Sequence, residues 1–395
     1  MKSFAIVLVC FNRLNGLKRL IKSLENASYD ERKDIVLIFS IDNSGEDDVL
    51  KFAKSYNWKN GEKIIRTFSE RQGLKKHILM CGDYTNDYDI VTVLEDDIVV
   101  SDSFYNYAYQ ASEFYWNDDN IAGISLYNFE KNWLNWIYRF EPMKGEYDSY
   151  FLKIAQSWGQ VWIERKWKLF KKWYEDNKIF KKTRDIPEYL NEWPKTSWLK
   201  YHDRYCIETN RYFVYPYYAL STNCSDAGTH STHTVNDYQV ELQFTKKKYK
   251  FPSFDNDAIK YDEYMNRVGL EKYLNIKDGD LIVDIYGTRG EVFKNDKRYI
   301  LTTKKLEYKK IKIFSLAFRP IEFSIIYNYD ANNYGIFLYD THIKAKNNTN
   351  VDFKYILTNY FLRTHDWRRI IKYSIKLTYK EIIGKILRKI KELKR

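Results

Sequence analysis

The chain has 395 residues, 44% of them apolar, which is enough to bury a proper core in one large domain or two ordinary ones and excludes a disordered protein. Lys and Arg number 65 against 53 Asp and Glu, a net charge of +12, and an aromatic share of 18% suits stacking on bases or sugars. No stretch approaches the roughly 20 apolar residues that span a bilayer, and the cysteines Cys10, Cys81, Cys206 and Cys224 lack the CxxC spacing of structural zinc.

The opening "MKSFAIVLVCFN" carries an apolar run too short for a signal-peptide core and no small-residue cleavage site, so it reads as a first buried strand. The expected location is the cytoplasm, with reduced thiols. From residue 4 to about 125, apolar runs ("FAIVLVCF", "DIVLIFSID", "DIVTVLEDD") alternate with amphipathic ones ("GLKRLIKSLENA", "GLKKHILMCGDY"), a βαβαβ pattern that predicts a mainly parallel sheet with helices on its faces. Ligands of such sheets sit beyond the carboxyl ends of the strands, and three of those ends carry polar groups: Asn12 and Arg13, Asp42 and Asn43, and the triplet Glu95, Asp96 and Asp97.

Residues 126–250, rich in Trp and Tyr, read as a less regular half that completes the same domain, 1–250. Short β-branched and aromatic runs between turn residues then predict a small β-rich accessory region over 251–355. The segment 356–395 is expected to be a basic amphipathic helix. The 28 residues from Arg368 hold eleven Lys or Arg and two Glu, and Ile371, Ile375, Ile382, Ile386, Ile390 and Leu393 fall on one stripe. Such a helix suits an anionic membrane surface better than nucleic acid, since the charge is confined to one end and no nucleic-acid motif is present.

An ionised carboxylate at the end of a buried strand is costly unless a cation offsets it, and oxygen-only ligands suit Mg²⁺ or Mn²⁺ held jointly with phosphates. The plain alternative is a solvated turn. "LEDDIVVSDSF" after a βαβαβ alternation resembles the DxD-type motif of GT-A glycosyltransferases, particularly its Glu-Asp-Asp form in the N-acetylglucosaminyltransferase I family. It is similar, too, to a bacterial group of family 2-like, hemolysin-like sugar transferases in which a Trp-Gly motif and a Gly-Thr-His stretch follow, here "SWGQVW" and "DAGTHST". The resemblance covers roughly residues 4–240. It implies an α/β, Rossmann-like GT-A domain with the β-rich appendage and the basic terminal helix behind it.

Carried onto this chain, the resemblance makes Asp97 the direct metal ligand, Asp96 a ribose or metal-water contact and Glu95 a donor-sugar contact. Asp42 matches an acceptor of a hydrogen bond from the base, usually uracil, although an Asx turn explains it equally well. Arg13 matches a residue near base and phosphates, and "RQGLKK", with Arg71, Gly73 and Lys76, matches a helix start beside the nucleotide. His230 resembles a second metal ligand. The catalytic base falls on Asp203 in "KYHDRY", with Asp226 and Asp148 as rivals and an Asp203–Arg204 or Asp203–Arg211 pair as the bland alternative. Trp158 and Trp162 offer acceptor platforms, of which one is expected to serve and the other to pack. The chain departs from the family pattern at Gln160 and Val161, where members commonly read "WGWATW".

The expected function is thus inverting, metal-dependent transfer from a UDP-sugar to a glycan or lipid-linked acceptor in bacterial surface polysaccharide synthesis, at the inner face of the membrane. Direct in-line attack gives the inversion. A sugar nucleotidyltransferase is the rival enzyme, but such enzymes resemble one another in a Gly-rich loop with Arg after the first strand, where this chain reads "CFNRLNGLKRL". A basic binding protein without catalysis is the remaining alternative.

Overall fold

The computed structural model describes residues 1–184, 186–226, 238–245, 247–255, 258–290 and 297–346, together with Tyr360 and positions 371, 372, 374–376, 378, 379 and 383. The N-terminal alternation folds into β1 (Phe4–Cys10), α1 (Leu14–Asn26), β2 (Val36–Ile41), α2 (Asp48–Ser55), β3 (Lys63–Thr67), α3 (Leu74–Gly82) and β4 (Ile90–Glu95), in which β1, β2 and β4 fall on the expected apolar runs and β3, with no fully buried residue, is an additional strand. All residues of β1 and β2 are buried, because helices cover both faces of the sheet. Successive side chains of a strand point to opposite faces. Phe4, Ile6 and Leu8 therefore pack with Leu17, Leu20 and Leu24 of α1, while Ala5, Val7 and Val9 enter the core that holds Ile78 and Leu79 of α3.

The chain continues through β5 (Ile98–Val100), α4 (Phe104–Phe114), β6 (Ile121–Ser125), the two-stranded ribbon β7 (Lys131–Asn132) and β8 (Asn135–Arg139), β9 (Ser149–Leu152), β10 (Gln160–Ile163), α5 (Glu164–Asp176), α6 (Glu188–Glu192), α7 (Leu199–Glu208), β11 (Tyr212–Pro216), β12 (Ser221–Asn223) and β13 (Lys260–Tyr261). The main sheet has the order β13-β9-β11-β6-β10-β4-β1-β2-β3. Strand β1 lies between β2 and β4, parallel to both, so the order reverses at β1. A crevice opens at the carboxyl ends of two strands that part in this way. Strand β10, with the Trp-Gly motif just before it, runs antiparallel between β4 and β6.

The β-rich region forms α8 (Glu271–Leu274), β14 (Leu281–Asp284), β15 (Tyr299–Thr302), β16 (Tyr308–Phe314), α9 (Phe323–Ile326) and β17 (Ile336–Lys344), the strands making one sheet in the order β14-β15-β17-β16. The expected boundary at residue 251 does not coincide with a sheet boundary, since β13 pairs with β9 at the edge of the large sheet. Nor does the small sheet stand apart: Leu281, Val283, Leu301 and Leu338 join the same core as Ala5 and Val7. Polar ties fasten the junction, with Arg289 paired to Asp262, Lys153 3.4 Å from Glu263 and the Ile285 amide donating to Asn266 Oδ1 at 2.8 Å. In the C-terminal segment the described positions from Ile371 to Ile383 are helical and exposed, while Ile382, Ile386, Ile390 and Leu393 lie outside the described residues.

Gly82, at the end of α3, shows how closely helix and core meet. A Cβ at this position would lie 2.0 Å from the Trp167 ring, which itself stacks on Trp162 at 4.0 Å between centroids. Gly82→Ala is expected to destabilise the fold by about 1–3 kcal/mol, as overpacking does. Urea unfolding checks this through a lower midpoint at unchanged slope; an unaltered midpoint would show that the Trp167 ring can yield.

Candidate active site

The reversal point at β1 is where the polar strand ends meet. Arg13 directly precedes α1 and makes no side-chain capping bond to the helix. Its guanidinium turns instead to the end of β4, where it pairs with Asp96 through one nitrogen and donates to Asp97 Oδ2 at 3.0 Å through another. Asp96 is 2% exposed. Burial pushes its carboxyl up to about 6, although Arg13 beside it pulls the other way. Burial, followed by the charge on Asp97, also drives the Glu95 carboxyl upward. Burial alone would lower the Arg13 pKa, but Asp96 and Asp97 outweigh it and hold the guanidinium charged.

One guanidinium does not satisfy the cluster, and Asp97 Oδ1 is buried without a hydrogen-bond donor. The loop carrying it is fixed from behind, because the Cys224 amide donates to the Asp97 carbonyl at 2.9 Å and β5 pairs with β12. A second ion pair stands beside the first. Arg19, on α1, grips Asp226, and Gly16 lies against both acids: a Cβ there would be 2.6 Å from the Asp96 carbonyl oxygen and 3.4 Å from Asp226 Oδ2. Sequence reading missed Arg19 and Gly16. Asp226, offered as a rival base, is held by an arginine, and Asp148, the other rival, pairs with Lys247 at 2.5 Å and accepts from the Lys250 amide at 2.8 Å.

Asp42 ends β2 and is 5% exposed. Its Oδ1 accepts from the Asn43 amide at 2.9 Å and the Gln72 amide at 2.7 Å, and its Oδ2 accepts from the Gly73 amide at 3.0 Å. Both oxygens thus tie the loop before α3 to the sheet, with the local Asx contact among them. Gly73 has φ +76°, which a glycine adopts readily. Arg71 lies over the Phe11 ring, 4.9 Å from its centroid, and brings the "RQGLKK" segment to the end of β1. Lys76 is exposed on the first turn of α3.

The two tryptophans separate as their surroundings dictate. Trp162 is 2% exposed in the core against Trp167, so of the two it is the one that packs and is no sugar platform. Trp158 is part-buried beside Tyr127, Tyr238 and Trp133. Gly159 after it has φ +99°, and a Cβ there would come 2.7 Å from Ser221 Oγ, so the Trp-Gly pair also serves a tight turn. Trp133 continues the ring group to Tyr189 and Trp193, a feature not singled out in the sequence.

Asp203 does not pair with Arg204 or Arg211. Arg204 binds Glu208 at 2.6 Å, and the Arg211 Nε donates to the Asp119 carbonyl at 2.8 Å. Asp203 instead points inward from α7, 1% exposed, accepting from the Ala155 amide at 2.6 Å and from the Tyr189 hydroxyl at 3.2 Å. Burial lifts its carboxyl from 3.8 to about 8, against those two hydrogen bonds. Placed so, it is almost wholly shielded from solvent. His230 lies outside the described residues. Among the described residues, no group of three His, Cys, Asp or Glu side chains forms a metal cage.

An acid whose folded pKa is raised contributes stability that is fully present below its unfolded pKa and is lost as pH rises through the folded one. The Asp203 contribution is therefore expected to fade between about pH 4 and about pH 8. In urea unfolding across that range, the wild type should lose stability relative to Asp203→Asn; parallel pH profiles would show that Asp203 titrates alike in the folded and unfolded chains.

Residues 5–178 match the family model described as Glycosyl transferase family 2. No curated protein sequence matches the chain. Among solved structures, S. aureus TarS 1–349 in complex with UDP-GlcNAc aligns at 10% identity over 58% of this chain and 60% of that one, with a TM-score of 0.36. Mannosyltransferase PcManGT from Pyrobaculum calidifontis, in complex with GDP-Man and Mn²⁺, aligns at 10% identity over 54% and 56%, TM-score 0.33. GalNAc-T7 with UDP, GalNAc and Mn²⁺ aligns at 13% identity over 56% and 43%, TM-score 0.35. The chain spans less than two thirds of the length of each. The family match falls on the segment that builds β1 to β4 and the acidic cluster, so it is residues 5–178 of the chain that are similar to glycosyl transferase family 2.

Proposed function

We propose that the enzyme transfers a sugar from a nucleotide diphosphate, with UDP as the nucleotide, to a glycan or lipid-linked acceptor in bacterial surface polysaccharide synthesis, with inversion at the transferred carbon. The observation that carries this reading is the cluster at the β1–β4 reversal: two carboxylates on one guanidinium, with Asp97 Oδ1 buried and without a donor. A carboxylate oxygen in that state suits a divalent cation, so the residues present fit Mn²⁺ or Mg²⁺ with Asp97 as ligand and Asp96 beside it. Described side chains form no complete cage, which suits an ion shared with a ligand's phosphates. When bound, such an ion supplies positive charge to the diphosphate leaving group.

Placement supports the remaining roles in this reading. Arg13, Arg71 and Lys76 bring positive charge to the donor side, and Phe11 beneath Arg71 offers a ring for the base. Asp42 holds the Gln72–Gly73 loop in place and, where that loop opens, is available to the base. Glu95 faces the donor sugar. Trp158, with Trp133 and Trp193, borders the acceptor side. Asp203 beneath Tyr189 serves as general base, its raised pKa giving it proton affinity near neutral pH.

The C-terminal segment suits attachment to an anionic lipid surface. Ile371, Ile375, Tyr379 and Ile383 recur every four residues and are 37–65% exposed, with Lys372 and Lys376 beside them. No helix among the described residues is long and apolar enough to cross a membrane. Each cationic residue near an anionic surface adds about 1 kcal/mol of binding.

Two measurements test these readings. Calorimetric titration of UDP into the full chain should show binding that needs Mn²⁺ and falls at least tenfold in Asp97→Ala; UDP binding in neither condition would remove the UDP reading. Sedimentation with phosphatidylglycerol vesicles should carry down the wild type and leave Ile375→Glu/Tyr379→Glu in solution. Equal sedimentation of both proteins would dismiss this stripe as the anchor.

A further inference from the structure

We infer that Arg13 is a displaceable internal counter-cation: in the nucleotide-free enzyme its guanidinium occupies the acidic seat, and a divalent ion enters that seat only as a diphosphate draws Arg13 away. The inference rests on the nucleotide-sugar reading above and deepens it.

Four observations carry it. The Arg13 guanidinium carries donors only, so it cannot serve the free amides at the start of α1 and turns to the acids instead. Its guanidinium is divided, one nitrogen on Asp96 Oδ1 and another on Asp97 Oδ2, rather than forked onto a single carboxylate. A divided grip forgoes the two parallel bonds that make an arginine–carboxylate pair strongest. The side chain is 27% exposed while those of Asp96 and Asp97 are 3% and 13% exposed, so the cation has a way out that the anions lack. Finally, Asp97 Oδ1 remains without a donor even with Arg13 in place.

The seat therefore holds a counter-charge that neutralises it incompletely. A guanidinium and a divalent ion compete for the same oxygens and repel each other at contact distance. Diphosphate changes the balance, since its oxygens accept the forked donors of Arg13 while its charge also favours the metal. Metal and nucleotide then bind cooperatively, each clearing or filling the site for the other. Arg19 has a different role. It binds Asp226, with the Asp97 charge acting on it only as a weaker influence.

The test is binding of Mn²⁺ alone, by calorimetry on the full chain without nucleotide. Arg13→Gln should bind Mn²⁺ at least tenfold more tightly than the wild type, and UDP should raise the Mn²⁺ affinity of the wild type by a larger factor than that of the variant. Mn²⁺ binding to Arg13→Gln no tighter than to the wild type would overturn the inference. If Arg13→Gln fails to fold, Arg13→Lys decides: a lysine is a point charge that cannot span both carboxylates, so at least a threefold gain is expected and its absence overturns the idea. Asp97→Asn should abolish any gain, and a gain that survives it would place the ion elsewhere. UDP binding to the wild type keeps the outcomes apart. If UDP does not bind, the proposed function falls; if UDP binds with metal and the variants show no gain, only the role given to Arg13 falls.

Discussion

The arrangement depends on a charge balance that one residue cannot complete. The reversal of strand order at β1 sets the end of β4 beside the loop before α1, and the sheet keeps both ends from moving apart. Acids in that position are shielded from water on the core side, and burial raises their pKa values toward neutrality. Arg13 makes ionised carboxylates tolerable there without cancelling their charge. A protein interior that tolerates such a residue of negative charge is suited to a cationic ligand, which is the physical link between this fold and the proposed transfer from a diphosphate donor.

The parts legible in the sequence were those whose signal is local. Periodicity gave β1, β2 and β4 because both faces of the sheet are covered there, so these strands read as continuous apolar runs, whereas the partly exposed β3 carried no such signal. The triplet stood out because three acids at the end of such a run contradict their surroundings. The two tryptophans of the "SWGQVW" segment, by contrast, looked alike. Their fates depend on α5, whose Trp167 ring closes over Trp162, and on Tyr127 and Tyr238, which leave part of Trp158 uncovered.

Other features had no local signal at all. Arg19 and Asp226 are 207 positions apart, and nothing in either neighbourhood announces the pair. In "KYHDRY" the adjacent arginine suggested a surface acid, but α7 turns Tyr201, Tyr205 and Cys206 to the core together with Asp203, and the arginine faces the other way. The boundary at 251 marked a change in texture rather than in architecture. It missed that two residues beyond it complete the large sheet.

That last feature bears on how the chain folds. The pairing of Lys260–Tyr261 with Phe151–Leu152 joins segments more than a hundred residues apart, and β10 is inserted between strands formed by two separate earlier segments. Contacts of this range are entropically costly to close and slow folding. During synthesis β9 lacks both neighbours until β11 has been made, and from then on its outer side is an open hydrogen-bonding edge until residue 261 has left the ribosome. The exposed edge persists for the time it takes to make roughly 45 further residues, about 2–9 s at ordinary elongation rates, and through that interval protection of β9 falls to chaperones or to its own aromatic side chains.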